Sequence, residues 1–325
     1  MHRFFAPLLL LCASFFLAPQ SASAVTIAWS PVGNPGNAND AATGNLYGGV
    51  GYNYNIGTYD VTASQYAEFL NAKDRTGANT LGLFNDAMSG SLWGAISFSA
   101  GNANGSKYGV IAGRGIHPAN DVSWYDAIRF ANWLNNGQGS GDTETGAYTL
   151  LGGTRIPTNG NSITRNAGAT VFLPSENEWY KAAYYEPGTS SYFQYPTSSN
   201  TRPTASSPTA LPNHVNFSPG GPDNLTDVGA YSGTTSPYSA FDMGGNVFQW
   251  NEALISGSSR GLRGGSFSYS DSYPLISSSR GYGNPSYEVS GVGFRVATVV
   301  VPEPSTGVLS AIACAMLWWW RKRFK

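Results

Sequence analysis

The sequence predicts a single α+β domain with little regular secondary structure, and three observations carry this prediction. Three short amphipathic segments each follow a capping box, in which Ser or Thr precedes Gln, Asp or Glu by three residues. Long stretches rich in Gly, Asn and Ser separate these segments and are typical of turns and loops. Short runs of β-branched and aromatic residues between the loops predict strands.

The first predicted elements are two strands and a helix. Residues 26–29 predict the first strand, and residues 52–57 predict the second. Thr62 and Gln65 form the first capping box, which begins the first helix. Three apolar residues then share one face of that helix: Tyr66, Phe69 and Leu70. Residues 74–115 are rich in Gly, Asn and Ser, and we expect them to be irregular.

The second and third helices have the same kind of start. Ser123 and Asp126 form the second box, and Ser175 and Glu178 form the third, directly after Pro174. Apolar residues at helical spacing follow each box: Ala127, Phe130, Ala131 and Leu134, then Trp179, Ala182 and Ala183. Both segments are therefore predicted to be helices of about three turns that bury one face.

Between these two helices, the alternating segments 147–150 and 169–173 predict a β-hairpin. No internal repeat and no linker interrupts the chain ahead of residue 301. Residues 25–300 are long enough for one large core, so we expect them to form one domain.

The beginning of the chain predicts export. Residues 1–24 have a weakly basic start, an apolar run and an Ala-Ser-Ala end, which together predict a signal peptide cleaved ahead of Val25. An uncleaved membrane anchor is the alternative, although the apolar run is short for a span.

The end of the chain predicts sorting at a membrane. Pro302, Glu303 and Pro304 precede a short apolar segment and a terminal basic cluster, an order that puts the body of the protein outside the cytoplasm. Residues 301–325 resemble the PEP-CTERM sorting signal of Gram-negative bacteria. That resemblance implies an exosortase as partner, cleavage near the triplet and a transient anchor formed by the C-terminal helix. A plain single-span anchor is the alternative.

Cysteine and charge exclude several classes of function. The two cysteines, Cys12 and Cys314, lie in the end segments, so residues 25–300 have neither disulfides nor thiolate chemistry.

The charge of the body is mildly negative. Five of the 18 Lys and Arg residues and one of the 19 acidic residues lie in the end segments, which leaves 13 basic and 18 acidic residues and a net charge near −5. Because no basic stripe is present, we expect no nucleic-acid partner. Abundant Gly, Ser, Asn and Tyr suit a surface that contacts neutral sugars.

The most distinctive stretch is residues 241–270. Two glycine pairs, at 244–245 and 264–265, indicate positive φ angles or close backbone approaches. Asp242, Gln249 and the carbonyls between them could face a hard cation. Aromatic residues alternate with these polar ones: Phe248, Trp250 and Phe267. The stretch therefore predicts either a built site or a tightly packed turn system.

Six motifs in this order resemble the formylglycine-generating enzyme (sulfatase-modifying factor) family. They lie at residues 58–70, 120–127, 173–179, 244–250, 262–267 and 293–295. The resemblance spans residues 30 to 297 approximately. It implies a compact α+β fold with little regular secondary structure, related to the C-type lectin fold.

The resemblance does not carry the chemistry of the family. Family oxidases use two cysteines after the Gly-Gly-Ser segment to bind copper, and the matching positions here are Tyr269 and Pro274 approximately. Without cysteine, we expect no copper site and no sulfatase activation. Sulfoxide-forming members use a histidine iron site, whereas this body has only His117 and His214.

The resemblance also implies two structural calcium sites. The residues matched to the first site are Asn216, Phe217, Asp223 and Leu225. The residues matched to the second site are Asp242, Gly245, Val247 and Gln249. Carboxylate, amide and backbone oxygens suit calcium. Two well-hydrogen-bonded turns without metal are the alternative.

The same resemblance places a ligand cleft at the C-terminal half of the body. The residues assigned to it are Arg263, Ser266, Tyr269, Tyr273 and Arg295. Arg263, Arg280 and Arg295 could bind an anionic sugar or pair with buried acids. Four tyrosines in the loop-like run 268–290 are expected to be exposed: Tyr269, Tyr273, Tyr282 and Tyr287.

Two functions of different classes follow. The first is a non-catalytic binding module that holds exopolysaccharide or a surface protein outside the cell. The second is an enzyme with a non-cysteine active site in the same cleft, built on Tyr269 and arginines.

Overall fold

The computed structural model describes residues 24–300, and four α-helices lie in that range: α1 (Ala63–Lys73), α2 (Ala87–Gly90), α3 (Trp124–Asn135) and α4 (Glu176–Tyr184). All three predicted capping boxes are confirmed. The side chains of Thr62, Ser123 and Ser175 each accept a hydrogen bond from the backbone N–H three residues on. The side chain of that third residue accepts a hydrogen bond from the backbone N–H of the cap residue. Single 3-10 turns lie at Ala41–Thr43, Gly160–Ser162 and Tyr273–Leu275.

The first sheet joins the two ends of the domain. Its four strands, in spatial order, are β1 (Trp29–Val32), β2 (Tyr54–Gly57), β14 (Ala297–Val299) and β5 (Val171–Phe172). All three pairings are antiparallel. The first two strands begin a few residues later than predicted. The chain therefore closes on itself here, because its last described strand lies between an early one and a central one.

The predicted hairpin of 147–150 with 169–173 is wrong. The strand Val171–Phe172 exists, but it pairs with the C-terminal strand, where Phe172 faces Ala297. Residues 147–150 form no strand, because other partners bind their backbone. Tyr148 N–H donates to the Asn132 side chain of α3 at 2.7 Å, and Leu150 N–H donates to the Glu144 carbonyl at 2.7 Å.

The two central strands of the second sheet come from the 241–270 stretch. Its strands, in spatial order, are β12 (Gly281–Gly283), β11 (Ser259–Arg263), β10 (Phe248–Ile255) and β13 (Val292–Gly293). The long strands β10 and β11 form an antiparallel hairpin, whereas β13 runs parallel to β10. The edge strand β12 belongs to the run 268–290 that the sequence predicts to be exposed, so this run is attached to the sheet.

The remaining strands form small two-stranded ladders. They are β3 (Ile96–Phe98) with β4 (Tyr108–Val110), β6 (Tyr185–Glu186) with β7 (Ser191–Tyr192), and β8 (Thr204–Ala205) with β9 (His214–Val215). Residues 74–115 are thus mostly irregular, as expected, and contain one short hairpin and the single-turn helix α2.

The main core is aromatic and lies around α1 and α3. Phe130 of α3 contacts Tyr66 and Phe69 of α1, Trp133 and Phe294, with ring centroids 5.3–6.1 Å apart. Such rings bury large apolar areas and favour tilted or edge-to-face contacts. The core therefore supplies stability without disulfides, as the absence of cysteine in this range requires.

Within residues 24–300, no helix is long and apolar enough to span a bilayer. The predicted signal peptide, apart from Ala24, and the sorting segment that includes Pro302, Glu303 and Pro304 lie outside the described residues.

Candidate functional site

The 241–270 stretch folds around Asn246. Its N–H donates to the Asn216 carbonyl at 3.0 Å, and its carbonyl accepts from Phe267 N–H at 2.9 Å. Its side-chain amide pairs with both backbone groups of Thr226 at 3.1 Å each. Gly245 N–H donates to the Gly264 carbonyl at 2.7 Å, which connects the two glycine pairs. The first half of the stretch is therefore a tightly packed turn system.

The second predicted calcium site is not assembled as a set of free oxygens. The side-chain oxygen of Gln249 accepts hydrogen bonds from Trp179 Nε1 at 2.6 Å and Arg295 Nε at 2.7 Å. Its amide nitrogen donates to the Asp242 carbonyl at 2.7 Å. The Asp242 carboxylate accepts from Gly229 N–H at 2.6 Å, and burial raises its pKa to about 6. The Gln249 side-chain oxygen and one Asp242 carboxylate oxygen are thus occupied by hydrogen bonds within the chain, which favours the alternative of a well-hydrogen-bonded turn at this position.

The first predicted calcium site retains an available ligand. Asn216 is only 1% exposed, and its side-chain oxygen has no hydrogen-bond partner. Its amide nitrogen donates to the Asn224 carbonyl at 2.7 Å, which aims the oxygen away from that carbonyl. Buried amide oxygens are normally satisfied, so this one fits a site that a cation completes.

The other residues of that set lie on the loop that follows Asn216. The Phe217 carbonyl accepts from Gly221 N–H at 3.0 Å, Asp223 is exposed, and Leu225 is buried. Between residues 24 and 300, no three His, Cys, Asp or Glu side chains are grouped closely enough to hold a metal. Calcium here would therefore rest on one amide, one carboxylate, backbone carbonyls and water, a donor set that calcium accepts.

The two arginines assigned to the ligand cleft lie in the core instead. Arg263 donates to Glu176 Oε1 from Nε at 3.1 Å and from Nη2 at 2.7 Å. Arg280 donates to the same Glu176 oxygen at 2.9 Å. Arg295 donates to Asp60 Oδ1 at 3.0 Å. These contacts favour the ion-pair interpretation for all three arginines. The reason is strongest for Arg263 and Arg295, because a buried guanidinium needs such partners, whereas Arg280 remains partly exposed.

A cleft of about 320 Å³ lies on the second sheet, next to the predicted positions. Ser266 and Tyr269 line it, as the resemblance implies, whereas Tyr273 does not. The other lining residues are Phe248, Trp250, Leu262, Ser268, Gly281, Tyr282, Gly283, Tyr287, Val289, Ser290, Gly291 and Val292. The predicted exposure of the tyrosines in run 268–290 is confirmed, with Tyr282 at 62% and Tyr273 at 61%.

The cleft is aromatic and uncharged. The Tyr269 ring meets the Phe248 ring edge-on, with centroids 5.0 Å apart and an interplanar angle of 78°. Hydroxyl groups of Ser266 and Ser268 lie 3.1 Å apart at one side. Among the described residues, no Asp, Glu, His, Lys or Arg lines the cleft. The arrangement therefore offers flat apolar surfaces and neutral hydrogen-bonding groups.

Sequence reasoning missed Phe248, Val289 and Val292 as cleft residues, because their role depends on pairing between distant segments. The parallel register of Phe248 with Val292 brings the loop 284–291 over the sheet. Tyr282 and Tyr287 were expected to be exposed but not assigned to the cleft. Gly281 and Gly283, which flank Tyr282, are the signal in the sequence, because glycine in a strand marks a close approach. An added Cβ would lie 3.2 Å from Leu262 at Gly281 and 3.0 Å from Trp250 at Gly283.

Comparison with known proteins identifies a matching family model and two solved structures with a similar fold. The family model described as the sulfatase-modifying factor enzyme 1-like domain matches residues 50–300. No curated protein sequence matches the chain significantly. The crystal structure of CarF is 22% identical with a TM-score of 0.56, and the match covers 85% of this chain and 99% of CarF. Variable protein 1 of Treponema denticola is 20% identical with a TM-score of 0.55, covering 86% of this chain and 97% of that protein.

At such identities the two structures show the fold alone. They confirm the predicted α+β class, with few helices and short strands, in the group of folds related to C-type lectins. The family model covers well over half of the sequence and includes the turn system and the cleft. The chain therefore belongs to the sulfatase-modifying factor (formylglycine-generating enzyme) family.

Proposed function

We propose that the protein is an exported, non-catalytic member of this family that binds a neutral polysaccharide segment in the aromatic cleft. The observation that carries the proposal is the lining of that cleft. Tyr269, Tyr282 and Tyr287 present rings and hydroxyls around a floor made by Phe248 and Trp250. Aromatic faces pack against the C–H surfaces of sugar rings, and hydroxyls and backbone carbonyls bond sugar hydroxyls.

Because the cleft is uncharged, it fits neutral ligands better than charged ones. An anionic sugar would need a cation, yet Arg263 and Arg295 are buried against carboxylates. A basic peptide would need an acid, and none of the described residues around the cleft supplies one. A neutral sugar chain pays no such desolvation cost for a charge, so it is the ligand that this surface fits.

Catalysis is the less favoured alternative. The positions matched to the copper-binding cysteines are Tyr269, at the rim, and Pro274, which is buried. A non-cysteine enzyme would have to use Tyr269 as its reactive group, since acid–base work needs a titratable side chain in reach of the substrate. No carboxylate, imidazole or amine from the described part of the chain accompanies it. This composition favours binding over turnover.

Export and sorting complete the proposal. The signal peptide would send the chain across the inner membrane, and the tail at Pro302–Pro304 would present it to an exosortase. The protein would then lie at the cell envelope or outside the cell, held transiently by its C-terminal helix. This location would place the cleft next to the exopolysaccharide. The proposal is supported by the order of the sequence signals, and intact masses from strains with and without the exosortase test it.

The cleft proposal is tested by electrophoresis of the purified protein in native gels that contain neutral or uronic-acid polysaccharides. We expect a neutral polysaccharide to retard the wild type. Tyr282→Ala should weaken the binding about tenfold, because one stacking ring is lost. Tyr273→Ala is the matched control, since Tyr273 is equally exposed but lies outside the cleft.

Three outcomes would speak against this proposal. No retardation by any polysaccharide, with a folded protein, would remove the sugar ligand. Equal weakening by Tyr273→Ala would remove the cleft as its site. Binding of a surface protein that Tyr282→Ala abolishes, with no sugar binding, would assign the cleft to a protein partner instead.

A further inference from the structure

The first described residues of the domain are attached to the loop that follows α3. Val25 N–H donates to Gln138 Oε1 at 2.6 Å, and Gln138 Nε2 donates back to the Val25 carbonyl at 2.8 Å. One side chain thus binds both backbone groups of one residue, 113 positions away in the sequence. Such two-point contacts fix the direction of the bound chain as well as its position.

The loop that carries Gln138 is itself held in place. Gln138 has a left-handed backbone with φ at 66°, and its N–H donates to the Trp133 carbonyl at 2.8 Å. The Trp133 indole N–H donates to the Gly139 carbonyl at 3.1 Å. Lys73 of α1 donates to the Gly141 carbonyl at 2.6 Å. The Gln138 side chain is therefore presented by a rigid loop rather than by a free one.

Burial changes sharply between residues 24 and 25. The Val25 side chain is only 9% exposed and belongs to the main core, whereas Ala24 is exposed. The next carbonyl, that of Thr26, accepts from Gln65 Nε2 at 2.8 Å. Among the described residues, Val25 is the first with a buried side chain, and it is also the residue that the Ala-Ser-Ala pattern predicts as the first of the processed chain.

We propose that Gln138 is the binding site for the free N-terminus that signal-peptide cleavage produces at Val25. Cleavage breaks the bond between the Ala24 carbonyl carbon and the Val25 nitrogen. Water supplies the hydroxyl of the new Ala24 carboxyl group and a hydrogen to Val25, whose amine then takes up a proton. The resulting ammonium has three N–H donors, and one already points at Gln138 Oε1. A charged donor strengthens such a hydrogen bond.

As a consequence, the new N-terminus of the processed chain is held against the domain rather than free in solvent. The ammonium binds the amide oxygen, the Val25 side chain stays in the core, and the first residue is withheld from solvent reagents and aminopeptidases. This inference rests on the export part of the proposed function, cleavage after Ala24, and not on the cleft.

The test uses the full chain exported by a bacterial host with its signal peptidase. The intact mass of the product gives its first residue, and we expect Val25. Its α-amino group is then labelled at neutral pH with an amine-specific reagent, and the terminal peptide is quantified by mass spectrometry. Gln138→Ala should label about tenfold faster than wild type, because a charge-assisted hydrogen bond is lost.

Two controls separate this role from a general effect on the loop. Gln138→Glu keeps an acceptor and adds an opposite charge, so it should label no faster than wild type. Lys73→Ala removes one of the contacts that hold this loop but keeps both hydrogen bonds between Gln138 and Val25, so its labelling rate should stay close to that of the wild type and well below that of Gln138→Ala. If Gln138→Ala does not fold, Gln138→Met retains the length of the side chain and removes both hydrogen bonds.

A product that starts at another residue would overturn the inference, and so would equal labelling of the wild type, Gln138→Ala and Gln138→Met. Polysaccharide retardation of the same variants is measured in parallel. Because Gln138 lies outside the cleft, failure of the N-terminal site would leave that binding unchanged, and failure of the cleft proposal would leave the labelling rates unchanged.

Discussion

Gln249 Oε1 accepts a hydrogen bond from Arg295 Nε across 2.7 Å, and both side chains are fully buried. Arg295 also donates to the carbonyls of Gly57 and Phe241 at 2.8 and 2.9 Å and to Asp60 at 3.0 Å. The cation that Gln249 binds is therefore a guanidinium of the chain itself. The hydrogen bond between Gln249 and Arg295 therefore connects the motif at 244–250 to the motif at 293–295.

Gln249→Ala should destabilise the fold by about 3 kcal/mol. The change leaves Arg295 Nε, Trp179 Nε1 and the Asp242 carbonyl without partners in the core, and each buried unsatisfied group is costly. Urea unfolding followed by circular dichroism measures the loss. Gln194→Ala, at an exposed position, should be nearly neutral. A Gln249 variant as stable as this control would contradict the structural role.

Calcium should stabilise the protein through the site at Asn216. We expect the melting temperature to fall on chelation and to rise again with added calcium, because a ligand that binds only the folded state stabilises it by mass action, about 2.7 kcal/mol at a hundredfold excess over Kd. Asn216→Ala and Asp223→Asn should remove this response.

Asp271→Asn is the matched control for the calcium series, since Asp271 is exposed and lies outside the predicted ligand set. It should leave the calcium response intact. A melting temperature that chelation does not change would show that the orphaned Asn216 oxygen serves no calcium ion.

The helices could be predicted from the sequence because their signals are local. Each capping box lies within four residues, so Thr62, Ser123 and Ser175 mark their helix starts without reference to the rest of the chain. The pairing of Phe172 with Ala297 carries no such signal. Two apolar segments close in sequence favoured a hairpin, but the tertiary structure gave one of them a partner more than a hundred residues away.

The cleft was predictable only in part, because some of its features follow from local sequence and others depend on distant segments. Exposed tyrosines follow from a loop-like run, and Tyr269 was placed at the rim by its motif position. The burial of Arg263 depends on Glu176, which α4 brings from another part of the chain. A charge in a sequence does not reveal whether its partner is solvent, ligand or a distant carboxylate. Only the arrangement of elements decides this.

Asp121→Asn should reduce the pH dependence of stability. Asp121 is buried with one carboxylate oxygen unpartnered. Burial, and secondarily the nearby Glu288 carboxylate, raise its pKa to about 6. Because the folded state binds the proton more tightly than the unfolded state, whose pKa is about 3.9, this group destabilises the fold increasingly as pH rises from about 4 to 6.

Relative to the wild type, the free energy of unfolding of Asp121→Asn should therefore increase by about 1–3 kcal/mol between pH 4 and pH 7. Urea unfolding at a series of pH values measures it, and Asp271→Asn controls for the loss of one acid. Asparagine tolerates the positive φ of 55° at this position, so backbone strain should not confuse the comparison. A constant difference across the range would contradict the assignment.

Gly245→Ala should be far more destabilising than Gly257→Ala, although both glycines have nearly the same φ, 78° and 81°. An added Cβ at Gly245 would lie 2.4 Å from the Asn216 carbonyl oxygen, whereas Gly257 has open space around it. The shared cost of a left-handed alanine is about 1 kcal/mol, and the clash adds about 2 kcal/mol or more at Gly245.

The difference between the two variants isolates the close approach of the turn system to Asn216. The Asn216 carbonyl cannot simply move away, because it accepts from Asn246 N–H at 3.0 Å and thereby fixes the loop that holds the candidate calcium ligands. Urea unfolding with and without calcium separates these effects. Gly245→Ala should lose both stability and the calcium response, while Gly257→Ala should lose only the smaller amount of stability. Equal losses would mean that positive φ alone, and not contact with Asn216, requires glycine at position 245.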